Sequence, residues 1–180
     1  CVAHLSRHGA ADRDAGGVTA GQPVAFSVAG PEGNDRGRAT LGDPQAETVV
    51  TVKTEVRRLM VEHLRIPAGE FATRAFTVNV RSPKISTGGE VNLDSREMNP
   101  DTHAVTSRSW DDRLTISFSD AHPAIAALEI QKINDAIIVF ITGDSTVTDQ
   151  PPNGSWGQML PRWFKPGVPI PNPAEPGETK

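Results

Sequence analysis

The sequence predicts an all-β sandwich followed by the opening part of an α/β unit, and three features of the pattern carry that assignment. Val50, Val52 and Val56 alternate with Thr51, Lys53 and Glu55; Phe76, Val78 and Val80 alternate with Thr77, Asn79 and Arg81. Leu114, Ile116 and Phe118 do the same against Thr115, Ser117 and Ser119. Such period-two alternation puts one face of a strand in a core and leaves the other wet. The second feature is a change of character after Asn134-Asp135-Ala136, where residues 137–142 read Ile-Ile-Val-Phe-Ile-Thr. A short continuous apolar run rich in β-branched residues is the pattern of a strand buried on both faces, as in a parallel sheet. The third is Gly143-Asp144-Ser145 directly behind that run. The expected division is a lead-in over 1–20, a sandwich over 21–134 and the beginning of a second domain over 135–180.

Taken in order, residues 1–20 mix His, Arg, Asp and Gly without apolar periodicity and are expected to be a disordered or doubtful lead-in. His4 and His8 stand at helical spacing, but Gly9, Gly16 and Gly17 argue against a helix, so solvated histidines are expected there, not a metal site. Residues 24–28 and 38–41 are short strand candidates separated by a Pro/Gly/Asn/Asp loop. The alternating strands named above follow, with Leu128 and Ile130 extending the last of them. Several such strands with Gly- and Pro-rich turns point to a sandwich. Beyond Ser145, Ser155 and Gln158 fit a capping box. Trp156, Met159, Leu160 and Trp163 share one helical face, expected to pack on the sheet. Pro161 must make that helix irregular. Residues 165–180 carry prolines at 166, 169, 171, 173 and 176, so an extended piece is expected, with 172–177 ending a second strand beside the first.

Composition narrows the function classes. Eighteen basic and 22 acidic residues give a net charge of −4, with no basic cluster of the kind a nucleic-acid surface needs. No apolar stretch approaches bilayer-spanning length, so no membrane partner is expected. The single cysteine, Cys1, excludes an intrachain disulfide framework and a cysteine-rich metal site. A start at Cys1 and an end at Lys180, just past a motif-like stretch, suggest a piece of a longer protein, and no signal peptide is visible.

Ser145 is the candidate with chemistry. It stands two residues past the end of a buried strand, where ligands collect in open α/β sheets. Gly143 permits a tight turn there, having no Cβ to clash. A serine so placed presents its hydroxyl as a nucleophile and its own N–H to a developing oxyanion; the competing reading is a turn cap. Arg57, Arg58, Glu97, Trp110, Asp111 and Asp112 could suggest acid–base work or sugar stacking. Asp111-Asp112 directly precedes a strand, where turn carboxylates are common, and Trp110 is expected to pack at a sheet edge or domain seam. For this group the structural account is preferred.

The stretch Gly143-Asp-Ser-Thr-Val-Thr-Asp-Gln150, followed by Ser155-Trp-Gly-Gln-Met-Leu-Pro-Arg162 and Lys165-Pro-Gly-Val168, resembles the SGNH (GDSL-type) hydrolases. Within that group it is similar to the rhamnogalacturonan acetylesterase branch of carbohydrate esterases. Arg57-Arg-Leu-Met-Val-Glu62, Gly69-Glu-Phe71, Phe76-Thr-Val-Asn-Val-Arg81, Trp110-Asp-Asp112 and Ala127-Leu-Glu-Ile130 look like the β-sandwich, of jelly-roll or galactose-binding type, that precedes some of these enzymes. The resemblance implies a three-layer α/β catalytic domain begun but not completed within these residues. It implies Ser145 as nucleophile and oxyanion N–H donor, Gly177 as a second oxyanion N–H donor, and Asp144 as the residue that holds the turn. Pro173 and Pro176 depart from the pattern, standing where the family tends to carry a histidine and a serine. The family's asparagine block and its Asp-x-x-His would lie past residue 180.

The implied activity is hydrolysis of acetyl esters on a plant cell-wall polysaccharide such as rhamnogalacturonan, through a serine acyl-enzyme, with no cofactor and no metal. The partner is then the acetylated polysaccharide, and the implied location is secreted or periplasmic. These 180 residues alone are expected to be inactive, because a serine without its base is a poor nucleophile. Two other readings stay open: a non-catalytic carbohydrate-binding sandwich, and an esterase for lipid or small acyl esters with the same catalytic parts.

Overall fold

A computed structural model describes residues 3–6, 23–55, 57–93, 110–150 and 154–177. Val56, His8, Glu97 and residues 151–153, named above, lie outside the described residues. Eight strands are present among those described: β1 (Ala3–Ser6), β2 (Val24–Ala29), β3 (Gly33–Leu41), β4 (Thr48–Thr54), β5 (Arg58–Ile66), β6 (Ala72–Val80), β7 (Arg113–His122) and β8 (Ile125–Ile133). They form two four-stranded sheets, β1-β8-β3-β6 and β2-β7-β4-β5, with every pairing antiparallel. Only β4 and β5 are successive strands of one sheet.

The alternation read from the sequence is what closes the sandwich. Val50, Val52, Ile66, Leu114, Ile116 and Phe118 from one sheet meet Ala39, Leu41, Phe76, Val78, Val80, Leu128 and Ile130 from the other in a single buried cluster. Phe76, Val78, Leu114, Ile116 and Phe118, on the apolar faces of the alternating strands, are all buried. Phe26 meets Phe118 edge-on, ring centroids 6.0 Å apart at 84°, the geometry aromatic quadrupoles favour. On β3, Gly37 lies opposite Phe76 in register. A Cβ at Gly37 would sit 2.3 Å from that ring, so the aromatic fills the space a side chain would take. A smaller cluster of Val91, Leu93 and Trp110 lies apart from the main core, which is where Trp110 packs.

Several boundaries depart from the sequence reading. Ala3–Ser6, inside the expected lead-in, pairs with β8 as an edge strand, because β8 offers it a free row of backbone groups. β3 begins at Gly33, so part of the expected loop is strand; the alternation there runs through Asp35, Gly37 and Ala39, a pattern that polar residues and glycine conceal. Leu128 and Ile130 belong to a separate strand, β8, in the sheet opposite β7. β5, RLMVEHLRI, is the strand that periodicity did not mark. Its pairing with β4 shifts register twice, so no single alternation runs through it.

The second part corrects the sequence reading more. Residues 137–141 are not a strand buried on both faces: Ile137 is 76% exposed and Phe140 49%, and Ile141 alone of the five is buried. They do pair in parallel with the proline-rich tail. The Val139 N–H donates to the Pro169 carbonyl at 3.1 Å, the Ile141 N–H to that of Pro171 at 3.0 Å, and the Glu175 N–H to that of Gly143 at 3.1 Å. A parallel ladder also needs return donors at alternate positions of the second segment. Here those positions are 169, 171, 173 and 175, and the first three are prolines without an N–H. Half the ladder is therefore missing by composition, and no regular strand forms. Among the described residues there is no α-helix and no three-layer α/β arrangement.

The expected helix is a 3₁₀ helix, Trp156–Trp163, with Pro161 inside it. Ser155 makes no side-chain cap bond, so the capping box is not formed. The helix instead buries Gly157 and Pro161 and leaves Trp156 53% and Trp163 73% exposed. Three residues per turn rotate the α-helical stripe away from a common face, so the Trp156–Trp163 stripe does not pack on a sheet. The helix lies along β5, with an Arg162–Glu62 ion pair between them.

Candidate active site

Ser145 lies on an exposed turn at the end of the first of the two parallel segments. Asp144 builds that turn. Its Oδ1 accepts the Thr146 N–H at 2.9 Å and the Thr146 hydroxyl at 2.7 Å. Its carbonyl accepts the N–H groups of Val147 at 3.0 Å and Thr148 at 3.1 Å. The backbone thus folds back on itself within four residues and leaves Ser145 at the outer corner. Gly143 is needed for the return, since a Cβ there would stand 2.8 Å from the Val147 side chain. The Ser155 hydroxyl donates to the Ser145 carbonyl, so the serine's backbone is held from the side of the 3₁₀ helix.

The residues after the turn are buried and tie it to the rest of the molecule. Gly157 passes so close that a Cβ would lie 2.1 Å from the Val147 carbonyl oxygen, and the Asn172 amide donates to that same oxygen at 2.9 Å. The Gln150 amide reaches the carbonyls of Ala174 at 3.3 Å and Asn92 at 3.4 Å. Asp149, fully buried, accepts from Arg58 Nε at 3.1 Å, and Arg58 Nη1 donates to the Asn79 carbonyl at 3.1 Å. The chain of contacts continues within the sandwich, where the Asn79 amide donates to Asn34 Oδ1 at 2.8 Å and Arg81 Nε donates to Asn79 Oδ1 at 2.8 Å. Burial pushes the Asp149 carboxyl up, while the Arg58 guanidinium beside it pulls the other way.

Gly177 stands at the end of the second segment, in a turn, with φ +86°. That left-handed conformation is one glycine adopts freely, and Pro176 before it leaves it intact. The parallel pairing, whose last bond joins Glu175 to Gly143, brings the Ser145 and Gly177 turns to the same end of the paired segments. Gly143, Asp144, Ser145 and Gly177 therefore lie toward one end of the paired segments. Among the described residues no histidine is hydrogen-bonded to Ser145. The Ser145 hydroxyl has no hydrogen bond among the described residues, and His63 is engaged through Nδ1 with Asp120 Oδ2 at 2.9 Å, on β5 and β7.

Of the other residues weighed from the sequence, Asp111, Trp110 and Arg58 have structural roles. Asp111 accepts the Arg113 N–H at 3.0 Å and so starts β7, and Trp110 is buried. Arg58 anchors the segment that carries Ser145. Asp149, Gln150 and Asn172 went unmarked because a buried polar residue far along the chain leaves no local signature. Among the described residues no group of His, Cys, Asp and Glu is placed to hold a metal ion, and no helix is long and apolar enough to cross a membrane.

No family model matches the chain, and no curated protein matches it. Among solved structures, the X-ray crystal structure of protein YxiM from Bacillus subtilis is similar at 22% identity and a TM-score of 0.40, over 86% of this chain. The chain spans 38% of the length of that structure. A likeness at that level decides neither fold nor activity.

Proposed function

We propose that this chain carries the nucleophile end of an SGNH-type serine ester hydrolase, joined to an N-terminal jelly-roll sandwich. The observation that carries the reading is the turn at Asp144–Ser145: an exposed serine at the outer corner of a hydrogen-bonded turn, with a left-handed glycine turn beside it at the end of a parallel neighbour. A nucleophilic serine requires this kind of fixed, open placement. The sheet order β1-β8-β3-β6 over β2-β7-β4-β5 is that of two interlocked Greek keys, the jelly-roll pattern, and supports the sandwich half of the reading.

In the proposed reaction the Ser145 oxygen attacks the acetyl carbonyl carbon, the alkoxide of the sugar leaves with a proton, and water then releases acetate from the acyl-serine. The N–H groups of Ser145 and Gly177 face the oxyanion. The base that accepts the serine proton belongs to the longer protein, together with the rest of the α/β domain. The substrate is an acetylated cell-wall polysaccharide such as rhamnogalacturonan, encountered outside the cell or in the periplasm. The test is covalent trapping: the full-length protein, treated with an aryl fluorophosphonate and digested, should carry the phosphonyl group on the peptide holding Ser145. Labelling at another serine, or none, would reject the assignment.

A further inference from the structure

A cavity of about 500 Å³ opens at the seam between the sandwich and the second part. From the sandwich side it is lined by Arg81, Lys84, Ile85 and Val91, and from the other by Phe140 and Pro173. The wall that carries Ile85 is a closed loop just past β6. Lys84 bridges Glu90, the Val91 N–H donates to the Pro83 carbonyl at 2.8 Å, and the Ile85 N–H donates to that of Gly89 at 3.0 Å. This return buries Val91, whereas the large apolar side chains of Ile85 and Phe140 stay exposed. A cavity of this size between two differently built parts is the usual setting of a small-molecule site.

Two cations stand among these apolar groups. The Arg81 guanidinium carbon lies 4.8 Å from the centre of the Phe140 ring, and Nε donates to Asn79 Oδ1 at 2.8 Å. These contacts fix the side chain and leave the Nη1 and Nη2 groups without a hydrogen bond among the described residues. Their paired edge matches a carboxylate in two-point geometry. Burial depresses the Arg81 pKa, with Arg58 adding to the shift and Glu32 opposing it, so an anion at the free edge offsets that cost. Lys84 is exposed and makes no side-chain hydrogen bond or ion pair among the described residues. The acid in the lining is Glu32, whose Oε1 accepts the Ser82 N–H at 2.8 Å. Hydrogen bonds from the Ser82 side chain and N–H hold that carboxyl below its ordinary value, so it stays ionised. Two positive charges against one negative leave a single charge to balance, which selects a monoanion over a phosphate dianion or a polyanion. Most of the lining surface is apolar. Sugar hydroxyls set against Ile85, Val91, Phe140 and Pro173 would lose their bonds to water without replacement. An aromatic ring there loses nothing and gains an offset or edge contact with Phe140.

We propose that this cavity binds a small aryl-substituted monocarboxylate, with its carboxylate on Arg81 and Lys84 and its ring among Ile85, Val91, Phe140 and Pro173. The site does not include Ser145, so it stands or falls apart from ester hydrolysis. The experiment is calorimetric titration of the 180-residue chain with 3-phenylpropionate and, in parallel, with 3-phenylpropionamide, acetate and inorganic phosphate. The aryl acid should bind, its amide at least about tenfold more weakly, and neither acetate nor phosphate should displace it. Lys84→Gln and Phe140→Ala should each weaken binding of the acid, since one removes a charge and the other the ring. Arg81→Gln should bring the affinity for the acid down to that for the amide. The comparison of acid with amide is made on the wild-type chain, so it holds even if Arg81→Gln folds poorly. The proposal is overturned if 3-phenylpropionate does not bind, if its amide binds as tightly, if acetate or phosphate displaces it on equal terms, or if Lys84→Gln and Phe140→Ala both bind it like wild type.

Discussion

Glu55 turns the chain from β4 to β5 with φ +48°, and its carboxyl is buried. One oxygen accepts the Thr115 N–H at 3.1 Å, and the other has no partner among the described residues. Burial raises its pKa to about 8, with Arg58 and the Thr115 hydrogen bond opposing the shift. An acid whose folded pKa lies above its unfolded value is stabilising while protonated in the fold. The contribution is therefore full below the ordinary value of 4.5 and is lost as pH rises through about 8. Stability should fall across that window with a slope on the order of 1.4 kcal/mol per pH unit from this group, and Glu55→Gln should flatten it. Denaturant titrations at pH 5, 7 and 9 check this. Burial shifts Asp149 in the same direction, so a residual slope should remain in the variant. A second residue-scale prediction concerns Gly37. Phe76 occupies the place of its side chain, and in a close-packed core that ring has no free room to move. Gly37→Ala should destabilise by about 1–3 kcal/mol, read as a lower urea midpoint without a changed slope.

Among the elements, the strands whose two faces differ chemically were legible: Phe76, Val78, Leu114, Ile116 and Phe118 were marked by alternation and are buried. β5 was hidden because its register shifts break the alternation, and the first half of β3 because Gly33, Asn34, Asp35 and Gly37 do not look apolar. The turn at residues 143–148 was legible in Gly143 and Asp144, whose contacts reach only to Thr146, Val147 and Thr148. What secures that turn was not legible, since Arg58 and Asp149 are 91 residues apart. A bond of that separation is decided by tertiary packing alone. The pair supports a prediction at this scale. Arg58→Met would leave Asp149 buried without its counter-charge, an arrangement that costs roughly 3–5 kcal/mol. Adding Asp149→Leu should recover most of that loss, since both charges are then gone. Hydrogen exchange should show residues 144–150 losing protection first in the single variant.

For the molecule as a whole, two differently built parts meet through the Arg58–Asp149 pair, the 3₁₀ helix along β5, and Arg81 over the Phe140 ring. The sandwich has its own apolar core, drawn from both sheets. The second part holds together through backbone bonds, Asn172, Gln150 and the Arg58–Asp149 pair, and leaves Ile137, Phe140, Trp156 and Trp163 exposed. Its prolines at 169, 171 and 173 remove the donors a complete ladder needs. The proposed chemistry belongs to this part, and the 180 residues alone should hydrolyse neither an aryl acetate nor an acetylated sugar above background, since the resemblance that suggests Ser145 implies a base not contained in them. Ser145 is proposed as the acyl carrier, and kcat for an acetylated rhamnogalacturonan oligomer tests this in the full-length protein. Ser145→Ala should lower kcat by about 10⁴ or more with substrate affinity little changed, since the hydroxyl acts in the transition state. Asp144→Asn should chiefly lower the unfolding midpoint, because that carboxylate holds the turn. If Ser145→Ala retains most of the wild-type kcat, Ser145 is not the nucleophile.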